Sequence, residues 1–464
     1  MIKPQTVGEL RSSEYEPLSV KEEMRKNLIG HLRRNEPLFP GIIGYENSVI
    51  PQIENAILSG QDIIFLGERG QAKTRIARSL ITLLDAEMPV VEGCEINDNP
   101  LSPICARCRE LAAEMGDNLP IAWMPRNERY GEKLATPDIT IADLIGEIDP
   151  IKVAEGRYLS DEQTIHYGLV PRTNRGIFVI NELPDLAERI QVGLLNILEE
   201  RDVQIRGYKV RLPLDIYLVA SANPEDYTNR GRIITPLKDR VGSQIRTHYP
   251  RTIEQEMAIM EQERTPYSVP GVEMVVPDYM KEIVAELTHL ARKHPDISQR
   301  SGVSVRVSVS NYENLLSSAL KRAIRLNERQ AAPRISDLDA LATSTAGKIE
   351  IEAVGDTRED KVLSKLVQGA VSAVFNRHFS VHDFDELLTR FNNGMSLEIA
   401  DDKPAMDYVH QVSEIKALKQ ALGKLNAQGN PAVAASAVEF VLEGLHLNRR
   451  LNKDRGATGT RYHR

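Results

Sequence analysis

Apolar residues recur along this chain in two rhythms, and the rhythms alternate. Three short stretches are continuously apolar: Ile63 to Leu66 in "QDIIFLGERG", residues 177–180 in "RGIFVINELPDL", and the run in "LDIYLVASANPED" that stops at Asn223-Pro224. Runs of this length, ended by polar or turn residues, predict strands buried on both faces. Between them the period becomes helical. "TRIARSLITLLD" repeats Ile76, Leu80, Ile81, Leu83 and Leu84, and "AERIQVGLLNILEERD" repeats Ile190, Leu194, Leu195 and Leu198. A short helix is predicted before the first strand, and "SVKEEMRKNLIGHLRRNEPLFPG" reads as a basic amphipathic helix ending at Pro37. Strands alternating with helices predict an α/β fold, a parallel sheet covered on both faces.

Other stretches depart from this alternation. "VQIRGYKVRLP" alternates around Gly207 and reads as a hairpin. From about residue 92 to 175 there is an insertion with few long periodic runs. After about residue 256 strand signals stop, and "PDYMKEIVAELTHLARKH", "VSVSNYENLLSSALKRAIRLNE" and "ISDLDALATSTAGKIEIE" predict helices. The end, "LNRRLNKDRGATGTRYHR", reads as a frayed basic tail. The domain reading is therefore an N-terminal helical extension (1–36), an α/β core (37–255) carrying the insertion, a helical region (256–355) and a C-terminal helical region (356–464).

Composition adds bounds. The chain has 464 residues, 41% apolar and 27% charged, ordinary for a globular protein. No stretch approaches the roughly 20 apolar residues of a membrane span. The N-terminus lacks the apolar core of a signal peptide, and three cysteines cannot complete a disulfide framework, so the expected setting is the cytoplasm. A net charge of −8 argues against a general nucleic-acid-binding surface.

The chemistry begins where the first strand ends. "GERGQAKT", Gly67, Glu68, Arg69, Gly70, Gln71, Ala72, Lys73 and Thr74, nearly matches G-x-x-x-x-G-K-[ST], with Ala72 in the last glycine position. Strand before and helix after are the context a phosphate loop requires. Lys73 would reach the outer phosphates of ATP and Thr74 would ligate Mg2+. Ala72, with only a methyl group, fits a helical backbone. "FVINE" then ends in Asn181 and Glu182; Glu182 suits a general base that polarises water, while Asn181 stands where an aspartate is usual beside the metal. Asn223 suits a polar sensor, although an asparagine before proline is also a common turn former. Arg240, in "TPLKDRVGSQI", suits a finger reaching a neighbouring subunit's γ-phosphate, with Arg230 and Arg232 as rivals. Arg306 suits a second arginine sensor, with Arg300 as rival. Cys94, Cys105 and Cys108 fall one short of four zinc ligands; a zinc site would need a fourth such as His166, and ordinary reduced thiols are the favoured reading.

In this order the motifs resemble those of the AAA+ ATPases, and more narrowly the magnesium chelatase ATPase subunit and its MoxR relatives. "IIGYENSV", "GERGQAKT", "GLVPRTNRGIFVINELPDL", "ANPEDY" and "LKDRVG" carry the resemblance over residues 37–330, joined by "EGCEINDNPLSPICARC" and "TPDITIADLIGEIDP" within the insertion. It implies an AAA+ αβα core followed by a helical lid, ATP and Mg2+ as cofactors, Ile43 and Gly44 among the nucleotide-binding residues, and a ring, expected to be a hexamer. It further implies ATP hydrolysis used to remodel a partner, a von Willebrand A-domain protein or a chelatase-type subunit. Two alternatives stay open: a nucleic-acid motor or transcription regulator on the same core, and a nucleotide switch that scarcely hydrolyses, which Asn181 favours. Enhancer-dependent activators carry G-A-F-T-G-A, and residues 90–180 contain nothing like it.

Overall fold

The computed structural model describes the chain except residues 1–2, 150, 152–153, 155–161, 201–211, 224–230, 299–301, 352–355, 401, 413–414 and 457–458. The hairpin expected at 203–213 falls almost wholly outside the described residues, as do Arg230 and Arg300. Two compact units are present, Met1–His248 and Tyr249–Arg464. Among the described residues no helix is long and apolar enough to cross a membrane.

Among the described residues nine strands run through the first unit: β1 (Ile63–Leu66), β2 (Glu87–Val91), β3 (Ile121–Pro125), β4 (Tyr130–Leu134), β5 (Gly146–Ile148), β6 (Ile165–Tyr167), β7 (Gly176–Asn181), β8 (Ile216–Ala222) and β9 (Ser243–Arg246). Five form the expected parallel sheet, in the order β4-β7-β8-β1-β9. All six residues of β7 are buried, which is why its sequence runs without polar alternation. Successive side chains still point to opposite faces. Ile64, Phe178, Ile180, Leu218 and Ala220 enter one core with Ile190, Leu194 and Ile197 of the helix Glu188–Glu200. Ile63, Phe65, Ile177, Val179, Tyr217, Val219 and Ile245 enter the other, with residues of the helices Val20–Arg33, Val49–Leu58 and Lys73–Ser79. The result is a helix–sheet–helix sandwich.

The helix Val20–Arg33 begins at Ser19 with a capping box closed by Glu22 and buries Val20, Met24 and Leu28. Its Glu23 is buried too, and Arg129 reaches it with both Nη atoms, at 2.7 and 2.5 Å. The segment preceding the α/β core thus shares that core.

The outer strands β4 and β9 have no counterpart in the apolar pattern. β4 lies inside the stretch read as an insertion, where "YGEKL" is too short and too charged to register as a strand, yet it pairs in parallel with β7 from Tyr130↔Ile177 to Leu134↔Asn181.

The second unit is mainly helical, with Ile253–Glu263, Asp278–Ala291, Val305–Arg325, Asp356–His378 and Pro431–Leu447 around one core. The frayed tail expected at the end is corrected. Asn452–Arg455 and Thr460–His463 pair with Leu397–Ile399 in a three-stranded antiparallel sheet, and Tyr462 is wholly buried with its hydroxyl donating to Glu443. A single buried aromatic among basic residues fastens this end, a contact that a basic composition conceals.

Candidate nucleotide site

β1 delivers the loop, and its neighbours fix the loop's shape. The Gly67 N–H donates to the Ala222 carbonyl at the end of β8. A Cβ on Gly67 would lie 1.9 Å from Thr247 Oγ1 and 2.3 Å from Gln71 Oε1, so only glycine fits. The Gln71 side chain closes the loop internally: its Oε1 accepts from the Glu68 N–H at 3.2 Å and from the Thr247 hydroxyl at 2.7 Å. The Tyr45 hydroxyl lies 2.9 Å from the Gln71 carbonyl and 2.7 Å from that of His248. Burial pushes Tyr45 up to about 12, so it remains a neutral donor. Tyr45 ties the segment holding Ile43 and Gly44 to the loop; Gly44 takes φ +87, a left-handed turn.

Ala72 overturns one expectation. Its backbone is left-handed, φ 56 and ψ 14, rather than helical. A Cβ there meets the following carbonyl at a cost of about 1–2 kcal/mol, which glycine would not incur. The loop holds Ala72 in this strained form from both sides: Gln71 is clamped by Thr247, and the helix Lys73–Ser79 begins immediately after. Lys73 is buried, and its ammonium donates to the carbonyls of Gly67 and, at 2.8 Å, Glu68.

β7 brings the polar pair against the loop. Thr74 Oγ1 donates to Asn181 Oδ1 at 3.3 Å, as does Ser221 Oγ from β8. With both hydroxyls on the oxygen, the amide nitrogen of Asn181 faces outward and donates to Glu132 Oε1 at 2.6 Å. Glu132 sits on β4 and also accepts from Arg78 and Tyr130. Burial raises its pKa, but the hydrogen bonds from Arg78 and Tyr130 and the Arg78 charge outweigh this and hold the carboxyl below its usual range. The sequence reading missed Glu132, because no motif marks it and only pairing of β4 with β7 brings it to Asn181.

This arrangement bears on the missing aspartate. The Thr74 and Asn181 oxygens form a hard-donor pair suited to Mg2+, and the negative charge absent from Asn181 stands one hydrogen bond away on Glu132. Asn181→Asp would set two carboxylates against each other, and like charges that close cannot both ionise comfortably. The expected result is a Tm lowered by about 2–8 °C in magnesium-free buffer, from a loss of about 1–2 kcal/mol, and a steeper dependence of nucleotide binding on Mg2+. Adding Glu132→Gln should restore the Tm. Differential scanning fluorimetry with and without Mg2+ checks this, and an unchanged Tm in Asn181→Asp would rule out the proposed repulsion.

Glu182 follows directly, in a left-handed conformation (φ 56, ψ 48), with its N–H donating to Ser221 Oγ at 3.2 Å. Such a backbone costs about 1–3 kcal/mol and persists only where its surroundings enforce it. Asn223 is buried immediately after β8, between the strands that end in the loop and in Glu182. The loop, Asn181, Glu182 and Asn223 therefore meet at the C-terminal ends of β1, β7 and β8.

The arginines do not join them within this unit. Arg240 is exposed and ends the helix Thr235–Arg240. It precedes β9, whose Ser243 is level with Ile63 at the start of β1. About 13 Å of strand separates that level from Gly67. Arg232 is exposed and pairs with Glu188 at 3.2 Å. Arg306 belongs to the second unit, exposed in the first turn of Val305–Arg325.

Comparison with known proteins follows the same lines. The sequence profile of the Sigma-54 interaction domain matches residues 153–241. The magnesium-chelatase 38 kDa subunit of Rhodobacter capsulatus is 26% identical over 242 residues, 50% of this chain and 62% of that protein. The 38 kDa subunit of Cereibacter sphaeroides is 27% identical over 230 residues, 48% and 62% of the two chains. The magnesium-chelatase subunit ChlI homolog of Methanocaldococcus jannaschii is 30% identical over 226 residues, 44% and 53%. The chain spans about three fifths of the length of the Rhodobacter and Cereibacter subunits.

A parallel sheet in this strand order, with a phosphate loop after β1 and a polar pair ending β7, defines a P-loop ATPase core of the AAA+ class. More narrowly, about half of the chain is similar in sequence to magnesium-chelatase 38 kDa and ChlI-type subunits.

Proposed function

We propose that this chain binds and hydrolyses ATP and, as a ring of identical subunits expected to be a hexamer, uses the energy to remodel a partner protein. The observation that carries the reading is the meeting of the loop with Asn181, Glu182 and Asn223 at one end of the sheet. Lys73 would neutralise the outer phosphates, and the loop N–H groups would surround them. Thr74 and Asn181 would hold Mg2+, which when bound offsets charge gathering on the phosphates. Glu182 would take a proton from the attacking water, and Asn223 would orient that water. The partner class is a von Willebrand A-domain protein or a chelatase-type subunit, on the likeness to the chelatase subunits.

Lys73→Ala should abolish ATP binding, since no other lysine lies in the loop. Isothermal calorimetry of the full chain tests it, and an affinity equal to the parent's would overturn the loop assignment.

A second reading, a transcription regulator, draws on the Sigma-54 interaction domain match. Against it stands the sequence, which nowhere contains G-A-F-T-G-A. Salt-dependent DNA binding in a gel shift would favour it over protein remodelling.

A further inference from the structure

The cysteines of the 92–175 stretch, scattered over fifteen residues, converge. Cys94 Sγ, Cys105 Sγ, Cys108 Sγ and a carboxylate oxygen of Asp98 all lie within 4.8 Å of one another. We propose that these four side chains bind a single structural zinc ion, a site independent of the nucleotide reading.

Reduced thiols alone would leave the carboxylate unexplained. Asp98 is wholly buried. Its Oδ2 accepts from the N–H groups of Ile104 and Cys105, at 3.1 and 2.9 Å, and this fixes the carboxylate's orientation. Its Oδ1 is buried with no hydrogen-bond partner. Among the described residues no lysine, arginine or histidine pairs with Asp98. A carboxylate held rigidly, with a buried oxygen left unpartnered and three sulfurs within 4.8 Å of the group, is costly in an apolar setting unless a cation lies between them.

The sulfurs are prepared in the same way. Cys105 caps the helix Ala106–Met115, and its Sγ accepts the Cys108 N–H at 3.3 Å. Cys94 Sγ accepts the Asp98 N–H at 3.4 Å. Backbone donors of this kind spread the charge of bound thiolates and orient them. Cys105 and Cys108 are buried, and Cys94 is partly exposed.

The spacing selects the metal. Four ligands around zinc, with Zn–S bonds near 2.3 Å, stand about 3.8 Å apart along a tetrahedron's edges. Side chains already within 4.8 Å need less than about 1 Å of movement to reach that figure. An iron–sulfur cluster needs room for several iron and sulfide ions between its thiolates, a wider cage than this. Three soft thiolates exclude magnesium and calcium as resident ions. The fourth ligand is Asp98 and not His166, which is exposed on β6 and lies outside the group.

The ion would fasten the base of the sheet. Asn97 Nδ2 donates to the Arg172 carbonyl at 2.7 Å, and Asn174 Nδ2 donates to the Ile96 carbonyl at 3.0 Å. Asn174 Oδ1 also accepts the Asp215 N–H at 2.9 Å, just before β8. The zinc loop is thereby bonded to the starts of β7 and β8, at the opposite end from the nucleotide.

The test uses the full chain, purified without chelator or nickel resin. Mass-spectrometric metal analysis should find about one zinc per chain. Titration with a mercurial should release it in step with modification of the three thiols, read with a zinc-sensitive dye. Exchange of zinc for cobalt in the parent protein should give the thiolate-to-cobalt charge-transfer bands of a tetrahedral site, a readout that needs no variant to fold. Asp98→Ala should weaken zinc binding by more than about 10-fold, and His166→Ala should leave it unchanged. Three thiols that alkylate equally fast in the zinc-loaded protein and after the zinc has been stripped by a chelator would overturn the site. So would a disulfide between any two of them in the freshly purified protein. Zinc affinity unaltered in Asp98→Ala, or lost in His166→Ala, would overturn the ligand set.

Discussion

Arg240→Ala should leave ATP binding nearly intact and lower hydrolysis by about 10³–10⁵-fold. The expectation rests on where the residue stands in its own subunit. Arg240 is exposed at the end of the helix Thr235–Arg240, before the first residue of β9, while the phosphate loop follows the last residue of β1. Parallel pairing of β1 with β9 puts the two at opposite ends of the sheet, so Arg240 is poorly placed to complete the site of its own chain. A finger in that position acts on a neighbour. Specific activity should therefore rise with protein concentration as rings form. Mixing Arg240→Ala with Lys73→Ala subunits should restore part of the activity, because one supplies the loop and the other the arginine. Steady-state phosphate release across a dilution series, for each variant and the mixture, measures this. Activity per subunit that is flat on dilution, with no rescue on mixing, would rule out Arg240 as a shared finger and turn attention to Arg232 and Arg230.

Glu182→Gln should bind ATP as the parent does and hydrolyse it about 10²–10⁴-fold more slowly, the usual contribution of a positioned base. Its backbone enters the left-handed region directly after β7, and the bond from its N–H to Ser221 Oγ fixes that turn. Glutamine keeps the shape but cannot take up the proton. Single-turnover hydrolysis beside equilibrium nucleotide binding separates the two effects. Turnover equal to the parent's would remove Glu182 from the chemistry. A parent that itself hydrolyses barely at all, even with a partner present, would favour the switch reading that Asn181 invites.

Legibility followed burial and local chemistry. β1, β7 and β8 are central strands covered on both faces, so their apolar runs announce them, and the residues that end them, Gly67, Asn181, Glu182 and Asn223, could be named as candidates from the chain alone. Edge strands carry no such signature. Among the described residues β4 and β9 each lack a neighbour on one side; such strands tolerate charge and show only in pairing, so Glu132 could not be connected with Asn181 in advance. The backbone of Ala72 was misread for a related reason: a small side chain fits a helix, but the loop, clamped by Gln71 and Thr247, dictates a left-handed turn. The tail was misread because one buried tyrosine, Tyr462, outweighs its basic neighbours.

The sequence by itself determined the parts of this protein whose cause is local: periodicity that sets strand and helix, glycines that permit a tight loop, and polar residues that end buried strands. Only the tertiary structure decided what depends on residues distant in the chain. It brought Glu132 to Asn181 across a strand pair forty-nine residues apart, set Arg240 at the far end of the sheet from its own loop, and gathered Cys94, Asp98, Cys105 and Cys108 about one point. The reason is physical. A local pattern fixes which face of an element is apolar, but the register and order in which elements pair are settled by the packing of whole faces, and it is that pairing which brings charges and ligands within reach of each other.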